Sequence, residues 1–289
     1  DADSIRWDAL VLATGARPRR IPSLDGRRGV HVLRTLDDAR ALGTDLGAGR
    51  RLAIVGAGFV GAEVASTAVE VGSNVSLIEA GTSPFGRILG DEVGRVLADR
   101  YRAAGVDLRT GAMVRELRMD AAERLRGLAL ADGAETACDA VLVAVGAEPA
   151  TELLGGGVVE TDACGRTALP GVYACGDVAA AWRPQVARHV RTEHWTSAAS
   201  QGTAVARAIL GRSAPADDVP YFWSDQFGLR LQHVGHGANW ASVALEGSPD
   251  SFSARYHARD GSLVAALLAN RPREAAAVRR ELAERPLAA

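Results

Sequence analysis

The 289-residue sequence predicts an α/β fold followed by a small C-terminal α+β unit, and three observations support this prediction. Short apolar runs alternate with helix-like segments between residues 51 and 144, as in a parallel sheet covered by helices. A glycine-rich turn that starts at Gly56 joins one apolar run to a predicted helix. Residues 213–220, which contain two prolines and two aspartates, form the best candidate linker before a strand-rich C-terminal region.

Composition narrows the class of protein. Apolar residues make up 47% and charged residues 24% of the chain, which is typical of a soluble globular protein. The 33 basic and 35 acidic residues give a net charge of −2, so we expect no nucleic-acid partner. All the basic residues are arginine, which excludes P-loop and Schiff-base lysines. The sequence has neither an apolar run of membrane-spanning length nor a secretory pattern at its N-terminus, so no membrane partner is expected.

The three cysteines Cys138, Cys164 and Cys175 are widely spaced, and none belongs to a C-x-x-C pair. Such cysteine usage favours a reducing compartment, and we therefore expect a cytoplasmic location. The cysteines also lack the clustered histidine partners of a zinc site, so the sequence predicts no bound metal.

The first elements surround a buried strand. Residues 8–12 form a short apolar run that ends at Thr14-Gly15, which indicates a strand entering a turn. Pro18 and Pro22 indicate an irregular connection, and the spacing of Thr35 and Asp38 predicts a helix N-terminus with a helix to about Leu46.

The central elements follow in alternation. We predict a strand over residues 52–55, a helix over 59–71, a strand over 75–79 and a helix over 91–104. Further strands at 106–109, 113–119, 124–131 and 140–144 should complete this unit as a parallel sheet with helices.

The last elements differ in pattern. A strand over 171–175 leads into Gly176-Asp177, and a helix should cover about 195–210. Residues 221–269 read as strands with glycine-containing turns, and 272–283 as a closing helix with proline in its first turn.

The glycine motif points to a dinucleotide. Gly56, Gly58 and Gly61 have the G-x-G-x-x-G spacing between a strand and a helix, and Glu79 ends the next strand. Gly56 permits the tight turn, Gly58 allows the pyrophosphate to approach the backbone, and Gly61 allows helix and strand to pack closely. The helix N-terminus then holds the phosphates. Glu79 should accept from the ribose hydroxyls and repel a 2′-phosphate, so we expect NADH to be preferred over NADPH.

Two other turns resemble parts of one flavin site. Ala13-Thr14-Gly15 follows one strand, and Gly176-Asp177 follows another. Gly176 would let the backbone approach the cofactor, and Asp177 would accept from a ribityl hydroxyl. Each turn taken alone is equally well an ordinary strand-ending turn or loop start, and only their order around the glycine motif favours a flavin.

That order resembles the flavin-dependent pyridine nucleotide oxidoreductases, and within them the NADH:ferredoxin reductases of bacterial monooxygenase and Rieske dioxygenase systems. The similarity extends from Asp8 to the last helix, and its most specific segment is Pro220-Tyr221-Phe222-Trp223-Ser224-Asp225-Gln226. The other matching motifs are Thr14-Gly15-Ala16-Arg17-Pro18-Arg19, Gly56-Ala57-Gly58-Phe59-Val60-Gly61-Ala62-Glu63, Gly146-Ala147-Glu148-Pro149, Gly176-Asp177-Val178, Glu193-His194-Trp195 and Gln201-Gly202.

The resemblance implies two Rossmann-like domains and a C-terminal α+β domain. An FAD-binding domain of residues 1–34 and 146–214 would be interrupted by an NAD-binding domain of residues 35–145, and residues 215–289 would form the reductase C-terminal domain. The residues implied at the flavin are Thr14, Gly15, Arg19, Gly146, Gly176, Asp177, His194, Trp195 and Trp223. Those implied at NAD are Gly56, Gly58, Phe59, Val60, Gly61, Glu63 and Glu79, with Glu63 near the nicotinamide.

One departure from the family pattern concerns the N-terminus. The family begins with its own glycine-rich unit for the ADP half of FAD, and a βαβ unit needs about 30 residues or more. Only seven residues precede Asp8, so we expect the flavin domain to be N-terminally incomplete in this sequence.

The implied chemistry is electron transfer from NADH through FAD to a [2Fe-2S] ferredoxin that serves a monooxygenase or dioxygenase. NADH gives up two electrons together, and a flavin can release them singly. The protein orients the two rings, so no acid, base or nucleophile is expected to be essential. We expect a monomer or weak dimer. Two alternatives remain: a truncated, flavin-free NAD-binding relative with a partner or regulatory role, and a peroxide or oxygen reductase with a redox cysteine upstream of Asp1.

Overall fold

The computed structural model describes residues 4–212, 215, 219–236 and 240–284. The helices are α1 (Leu36–Gly43), α2 (Phe59–Glu70), α3 (Gly86–Leu89), α4 (Asp91–Ala103), α5 (Trp195–Ile209) and α6 (Pro272–Ala283). The strands of the first half are β1 (Leu10–Leu12), β2 (Ala16–Pro18), β3 (Val30–His31), β4 (Arg51–Val55), β5 (Asn74–Glu79), β6 (Asp107–Thr110), β7 (Val114–Met119), β8 (Leu125–Leu130), β9 (Glu135–Ala137) and β10 (Ala140–Val143). Those of the second half are β11 (Ala147–Pro149), β12 (Val159–Thr161), β13 (Val172–Ala174), β14 (Ala179–Arg183), β15 (Arg188–Arg191), β16 (Tyr221–Gln226), β17 (Leu229–Gly235), β18 (Ser242–Ser248), β19 (Ser251–His257) and β20 (Leu263–Ala269).

The central unit is a five-stranded parallel sheet in the order β3-β10-β4-β5-β6. Helix α2 connects β4 to β5 and packs against both strands, as in the crossover of a βαβ unit. The predicted α/β class, with Rossmann-like sheets and a C-terminal α+β domain, is therefore confirmed. Strand β3 belongs to this sheet although it precedes residue 35, where the NAD-binding domain was predicted to begin.

Two predicted strands of this unit lie outside the parallel sheet. Strands β7 and β8 form a separate antiparallel sheet with β9. The reason is the connection, because the tight turn that starts at Asp120 permits only an antiparallel return, whereas a parallel neighbour needs a crossover. Our expectation that these strands extend the parallel sheet was wrong.

Helix ends agree closely with the sequence, and one difference has a visible cause. Helix α1 begins with the predicted capping box, in which Thr35 Oγ1 accepts from Asp38 N–H and the Asp38 carboxylate accepts from Thr35 N–H. The helix ends at Gly43 rather than Leu46, because the Thr44 hydroxyl donates to Ala41 O at 2.7 Å and closes the last turn.

The flavin-type part of the chain consists of small pieces. Strand β1 pairs in parallel with β13, β2 pairs with β11, and β14 lies between β12 and β15. The β14–β15 hairpin was not predicted. Most of the expected linker, residues 213–214 and 216–218, lies outside the described residues.

The C-terminal unit is an antiparallel sheet in the order β16-β17-β20-β19-β18, with α6 packed on β17 and β20. Its other face shares one hydrophobic core with helices α2 and α4 of the parallel-sheet unit, where Leu97 and Tyr101 meet Phe227, Leu231 and Phe252. The two units are therefore packed together through buried apolar side chains. Within the described residues, no helix is long and apolar enough to cross a membrane.

Candidate NAD and flavin sites

The glycine motif forms the turn from β4 into α2. Gly56 has φ +104°, and a Cβ at this position would collide with the carbonyl of Ala144. A Cβ at Gly61 would collide with the carbonyl of Gly56, so both positions require glycine. A Cβ at Gly58, in contrast, would meet no atom within 4 Å. Gly58 therefore opens the N-terminus of α2 to an incoming group.

Glu79 lies beside this turn at the end of β5. Its carboxylate accepts from Ala57 N–H at 2.8 Å and from Gly81 N–H at 2.7 Å, so both oxygens are held in place. An ionised carboxylate has about four acceptor positions, which leaves capacity for ribose hydroxyls. Because α2 begins without a side-chain cap, its first N–H groups are available for phosphate. The residues present therefore fit an NAD-type dinucleotide.

A second concave region lies where β1 and β13 end and α5 begins. Its volume is about 500 Å³, within the 300–1,000 Å³ usual for small-molecule sites. The cavity is lined by residues from these three elements and their neighbours, namely Ala13, Gly15, Arg34, Cys175, Gly176, Asp177, Glu193, His194, Trp195 and Ala198. The two turns expected to share a flavin site thus border one cavity.

Some polar groups of this cavity already have hydrogen-bond partners within the chain. Asp177 Oδ2 accepts from Arg34 Nη2 at 3.1 Å, and the Asp177 side chain is mostly buried. Gly176 has φ +77° and donates its N–H to Gln201 Oε1 at 2.8 Å. The Gln201 Nε2 amide is buried and has no partner among the described residues. A buried donor without a partner beside the cavity fits a group with acceptor atoms, and a flavin has such atoms.

His194 caps α5 and faces the same cavity. Its Nδ1 accepts from Thr196 N–H at 3.3 Å. Burial lowers the pKa of His194, and the nearby Asp177 carboxylate opposes this only in part. The imidazole is therefore neutral at physiological pH and adds no charge to the cavity.

Trp195 and Trp223 form an aromatic wall with His194. Their rings meet edge to face, with centroids 5.7 Å apart, and Trp223 lies 5.2 Å from the His194 ring. Trp195 lines the cavity yet remains 65% exposed, so this wall reaches from the cavity to the surface.

Strand β16 connects this wall to the glycine-motif helix. Phe222 packs against Phe59 at 4.7 Å, and Ser224 Oγ donates to Glu63 Oε1 at 2.5 Å. Trp223 lies between these two residues in the strand, and its ring contacts His194 and Trp195 in the cavity wall. Burial and the neighbouring Asp225 raise the pKa of Glu63, and the hydrogen bond from Ser224 works against that rise.

Three residues expected at the flavin already have hydrogen-bond partners within the chain. The Thr14 hydroxyl donates to Ala150 O at 2.6 Å, and Arg19 Nε donates to Ala147 O at 3.1 Å. Gly146 O accepts from Arg19 N–H at 2.9 Å. Thr14, Arg19 and Gly146 thus secure the β2–β11 pairing, next to Gly15 of the cavity. Val60 lies in the first turn of α2 and is 42% exposed.

Sequence reasoning missed Arg34 and the specific part played by Ser224. No motif contains Arg34, which meets Asp177 only through the fold. Ser224 lies inside the segment of residues 220–226 that was singled out, and the alternation along a strand could have paired it with Phe222 on one face.

Comparison with known proteins agrees with this geometry. Residues 1–202 match the model of the pyridine nucleotide-disulphide oxidoreductase family, and residues 221–288 match the reductase C-terminal model. Among curated proteins, the ferredoxin–NAD(+) reductase component of the p-cumate 2,3-dioxygenase system of Pseudomonas putida is 35% identical, over 99% of this chain and 71% of its own. The corresponding component of the biphenyl dioxygenase system of Paraburkholderia xenovorans is also 35% identical, over 93% of this chain and 68% of its own.

Solved structures show the same fold. The putidaredoxin reductase–putidaredoxin complex superposes with a TM-score of 0.92 at 29% identity, covering 97% of this chain and 70% of that one. The ferredoxin reductase of the CYP199A2 system from Rhodopseudomonas palustris gives 0.86 at 32% identity, covering 92% of this chain and 68% of that one. Because the family model covers more than half of the chain and the described fold agrees with it, the chain belongs to the pyridine nucleotide-disulphide oxidoreductase family.

Proposed function

We propose that this chain acts as a flavin-dependent NADH:ferredoxin oxidoreductase that passes electrons from NADH through FAD to a [2Fe-2S] ferredoxin. The observation that carries the proposal is strand β16, which contacts the glycine-motif helix through Phe222 and Ser224 and the cavity wall through Trp223. A dinucleotide site and a flavin-sized cavity thus share one connecting element. The ferredoxin partner and its monooxygenase or dioxygenase are supported by relatives named as reductase components of dioxygenase systems.

In this proposal, Gly56, Gly58, Gly61 and Glu79 hold NAD, with Phe59, Val60 and Glu63 toward its nicotinamide end. FAD would be held at Gly15, Gly176, Asp177, His194 and Trp195, with support from Thr14, Arg19, Gly146 and Trp223. When bound, FAD supplies the chemistry that takes two electrons from NADH and releases them one at a time.

The residues of the chain bind, orient and shield rather than react. Asp177 offers acceptor atoms for hydroxyl groups, and the ion pair with Arg34 holds that carboxylate in place. His194 is neutral and aromatic, so its ring covers part of the cavity wall without placing a charge there. In this proposal the chain places the two rings close together and supplies no acid or base to them.

The proposal includes the division of the chain and its surroundings. We assign residues 1–34 and 146–214 to the FAD domain, 35–145 to the NAD domain and 215–289 to the C-terminal domain. Strand β3 precedes residue 35 but pairs with β10 in the NAD-type sheet. We further propose a cytoplasmic monomer or weak dimer, since the spaced cysteines favour a reducing compartment.

The test is an anaerobic titration of the FAD-supplemented protein with NADH, followed by an oxidised [2Fe-2S] ferredoxin. We expect NADH to bleach the visible flavin band and the ferredoxin to restore it while becoming reduced itself. Colourless protein that binds NADH but no FAD would support the alternative of a flavin-free NAD-binding relative. Flavin that is reduced by NADH but reoxidised only by peroxide or oxygen would support the alternative of a peroxide or oxygen reductase.

A further inference from the structure

Three buried side chains join the C-terminal sheet to Glu63 by consecutive hydrogen bonds. Ser224 Oγ donates to Glu63 Oε1 at 2.5 Å, and Gln226 Nε2 donates to Ser224 Oγ at 2.9 Å. The Tyr101 hydroxyl of α4 donates to Gln226 Oε1. We call Tyr101, Gln226 and Ser224 the relay. It begins in one domain, crosses the second and returns to the helix of the glycine motif.

The relay is buried, so its members depend on one another for hydrogen bonds. Tyr101, Ser224 and Gln226 are 0%, 1% and 2% exposed. Buried polar groups are stable only when they are paired, so each member depends on the next. Burial also raises the pKa of the Tyr101 hydroxyl, which therefore remains a proton donor.

The direction of the relay fixes the role of Ser224. A serine hydroxyl has one proton, and the oxygen of Ser224 already accepts from the Gln226 amide. Its proton is therefore directed to Glu63. The relay holds Glu63 as a hydrogen-bond acceptor in one orientation.

Glu63 lies where an acceptor is useful. It is one helical turn beyond Phe59, on the face of α2 that meets β16, and its side chain is half-buried. Phe222, which packs on Phe59, lies 6.1 Å from the ring of His194 in the cavity wall. Strand β16 therefore links Glu63, through Ser224, to the strand residue that packs near the cavity wall. The proposed function places the nicotinamide end of NAD on this face of α2, and the carboxamide is the group at that end with N–H donors.

We propose that Ser224, oriented by Gln226 and Tyr101, is a positioning residue that holds the Glu63 carboxylate as the acceptor for the nicotinamide carboxamide. The inference rests on the function proposed above, because it requires NAD to bind along α2. It adds a part of the C-terminal domain to nicotinamide recognition without giving Ser224 any contact with the cofactor.

The experiment compares binding of two oxidised dinucleotides by calorimetry, so it does not depend on turnover. NAD⁺ carries the carboxamide, whereas 3-acetylpyridine adenine dinucleotide has an acetyl group that offers no N–H. We expect the parent protein to bind NAD⁺ roughly tenfold more tightly than the analogue, since a hydrogen bond to a charged acceptor is lost. In Ser224→Ala the preference should fall to about twofold or less, because Glu63 can turn away or become protonated.

Two variants separate positioning from general packing. Ser66→Ala removes another buried hydrogen bond between α2 and the C-terminal sheet, that of Phe227 N–H to Ser66 Oγ, without touching Glu63. It should keep the parental preference. Ser224→Thr retains the hydroxyl and should keep the preference as well. If Ser224→Ala does not fold, the double variant Gln226→Met with Tyr101→Phe replaces the two groups that orient Ser224 by apolar groups of similar shape, and its preference should also fall.

The outcomes are distinguishable. A parental preference that survives in Ser224→Ala, or in the double variant, overturns the positioning role and leaves the proposed function intact. Loss of preference in Ser66→Ala to the same extent also overturns it, because any loosening of the contact would then suffice. A parent that binds neither dinucleotide contradicts the NAD site itself, and with it the proposed function.

Discussion

Arg34 and Asp177 are 143 positions apart in the chain, yet Arg34 Nη2 donates to Asp177 Oδ2 at 3.1 Å on the wall of the candidate flavin cavity. Arg34 immediately precedes the capping box of α1, and Asp177 follows the strand that pairs with β1. The ion pair therefore joins the segment just before α1 to the turn after β13. It also fixes the carboxylate on which the flavin proposal depends.

We predict that Asp177→Ala weakens FAD binding and leaves NAD binding nearly unchanged. Loss of a hydrogen bond to a charged group costs roughly 1.5–3 kcal/mol, which is about 10- to 150-fold in affinity. The NAD⁺ dissociation constant should change by less than about twofold, because distant sites act almost independently. Flavin-fluorescence and calorimetric titrations measure the two constants. Arg34→Gln, which keeps the carboxylate, should lose less FAD affinity than Asp177→Ala. Parental FAD affinity in Asp177→Ala would refute the assignment.

We predict that the parent binds NADH at least about tenfold more tightly than NADPH, a difference of about 1.4 kcal/mol or more. The reason is the negative charge of Glu79, which is held beside the glycine turn by Ala57 and Gly81. Glu79→Gln removes the charge and should bring the two dissociation constants closer. Glu70→Gln, at the far end of α2, is the matched control and should not. Equal constants in the parent would show that Glu79 does not select the cofactor.

Gly58 and Gly61 should respond in opposite ways to alanine. Gly58→Ala finds open space and negative φ, so stability should fall by no more than about 1 kcal/mol while NAD⁺ affinity drops at least tenfold. Gly61→Ala forces a Cβ against Gly56 O, so the free energy of unfolding should fall by roughly 1–3 kcal/mol or more. Urea unfolding and calorimetry on both variants separate the effects. Full NAD⁺ affinity in a folded Gly58→Ala protein would mean that the pyrophosphate lies elsewhere.

We predict that Trp223→Ala raises NADH oxidation by oxygen and lowers electron delivery to a ferredoxin. Trp223 supports His194 and Trp195 at the cavity wall, so its removal should admit water and oxygen and loosen the exposed edge. Both rates are measured in the same preparation, with cytochrome reduction as a second readout. Trp182→Ala, which removes an exposed ring on the β14–β15 hairpin, is the control and should leave both rates unchanged. If both rates also stay at the parental level in Trp223→Ala, Trp223 serves only in packing.

His233 should make the fold sensitive to mild acid. Its ring is stacked on Phe222, and neither ring nitrogen has a hydrogen-bond partner among the described residues. Burial, with a contribution from His236, lowers the pKa of His233 from 6.5 to about 4. Between these two values the unfolded chain binds a proton that the folded chain does not. The free energy of unfolding should therefore fall, as pH drops through that range, by about 1.4 kcal/mol per pH unit from this residue alone.

Urea midpoints at pH 7 and pH 5 test this expectation. His233→Phe keeps an aromatic ring on Phe222 and should show a smaller loss of stability at pH 5 than the parent. His257→Gln, at the end of β19, changes a less buried histidine and should behave like the parent. Identical acid sensitivity in the parent and His233→Phe would contradict the assignment. His194, whose pKa burial also lowers, contributes a slope of the same sign in all three proteins.

Much of the molecule was determined locally. The spacing of Gly56, Gly58 and Gly61 predicts the turn because a Cβ at Gly61 would meet the carbonyl of Gly56 within the turn itself, although the carbonyl that excludes a Cβ at Gly56 belongs to the distant Ala144. Glu79 is placed by its position at the end of the neighbouring parallel strand. The capping box at Thr35 and the proline at the start of α6 fix helix ends through groups within one turn. Such features need only short-range chemistry, so the sequence alone predicted them.

The tertiary structure decided which distant groups meet. The pairing of Arg34 with Asp177, the hydrogen bond from Ser224 to Glu63 and the stacking of His233 on Phe222 depend on how separate elements pack. It also turned Thr14 and Arg19 toward nearby carbonyls, because the β2–β11 pairing places acceptors there. The antiparallel arrangement of β7 and β8, in contrast, follows from the local turn at Asp120. Long-range contacts arise from burial of the shared core, and no local spacing in the sequence records which side chains that core brings together.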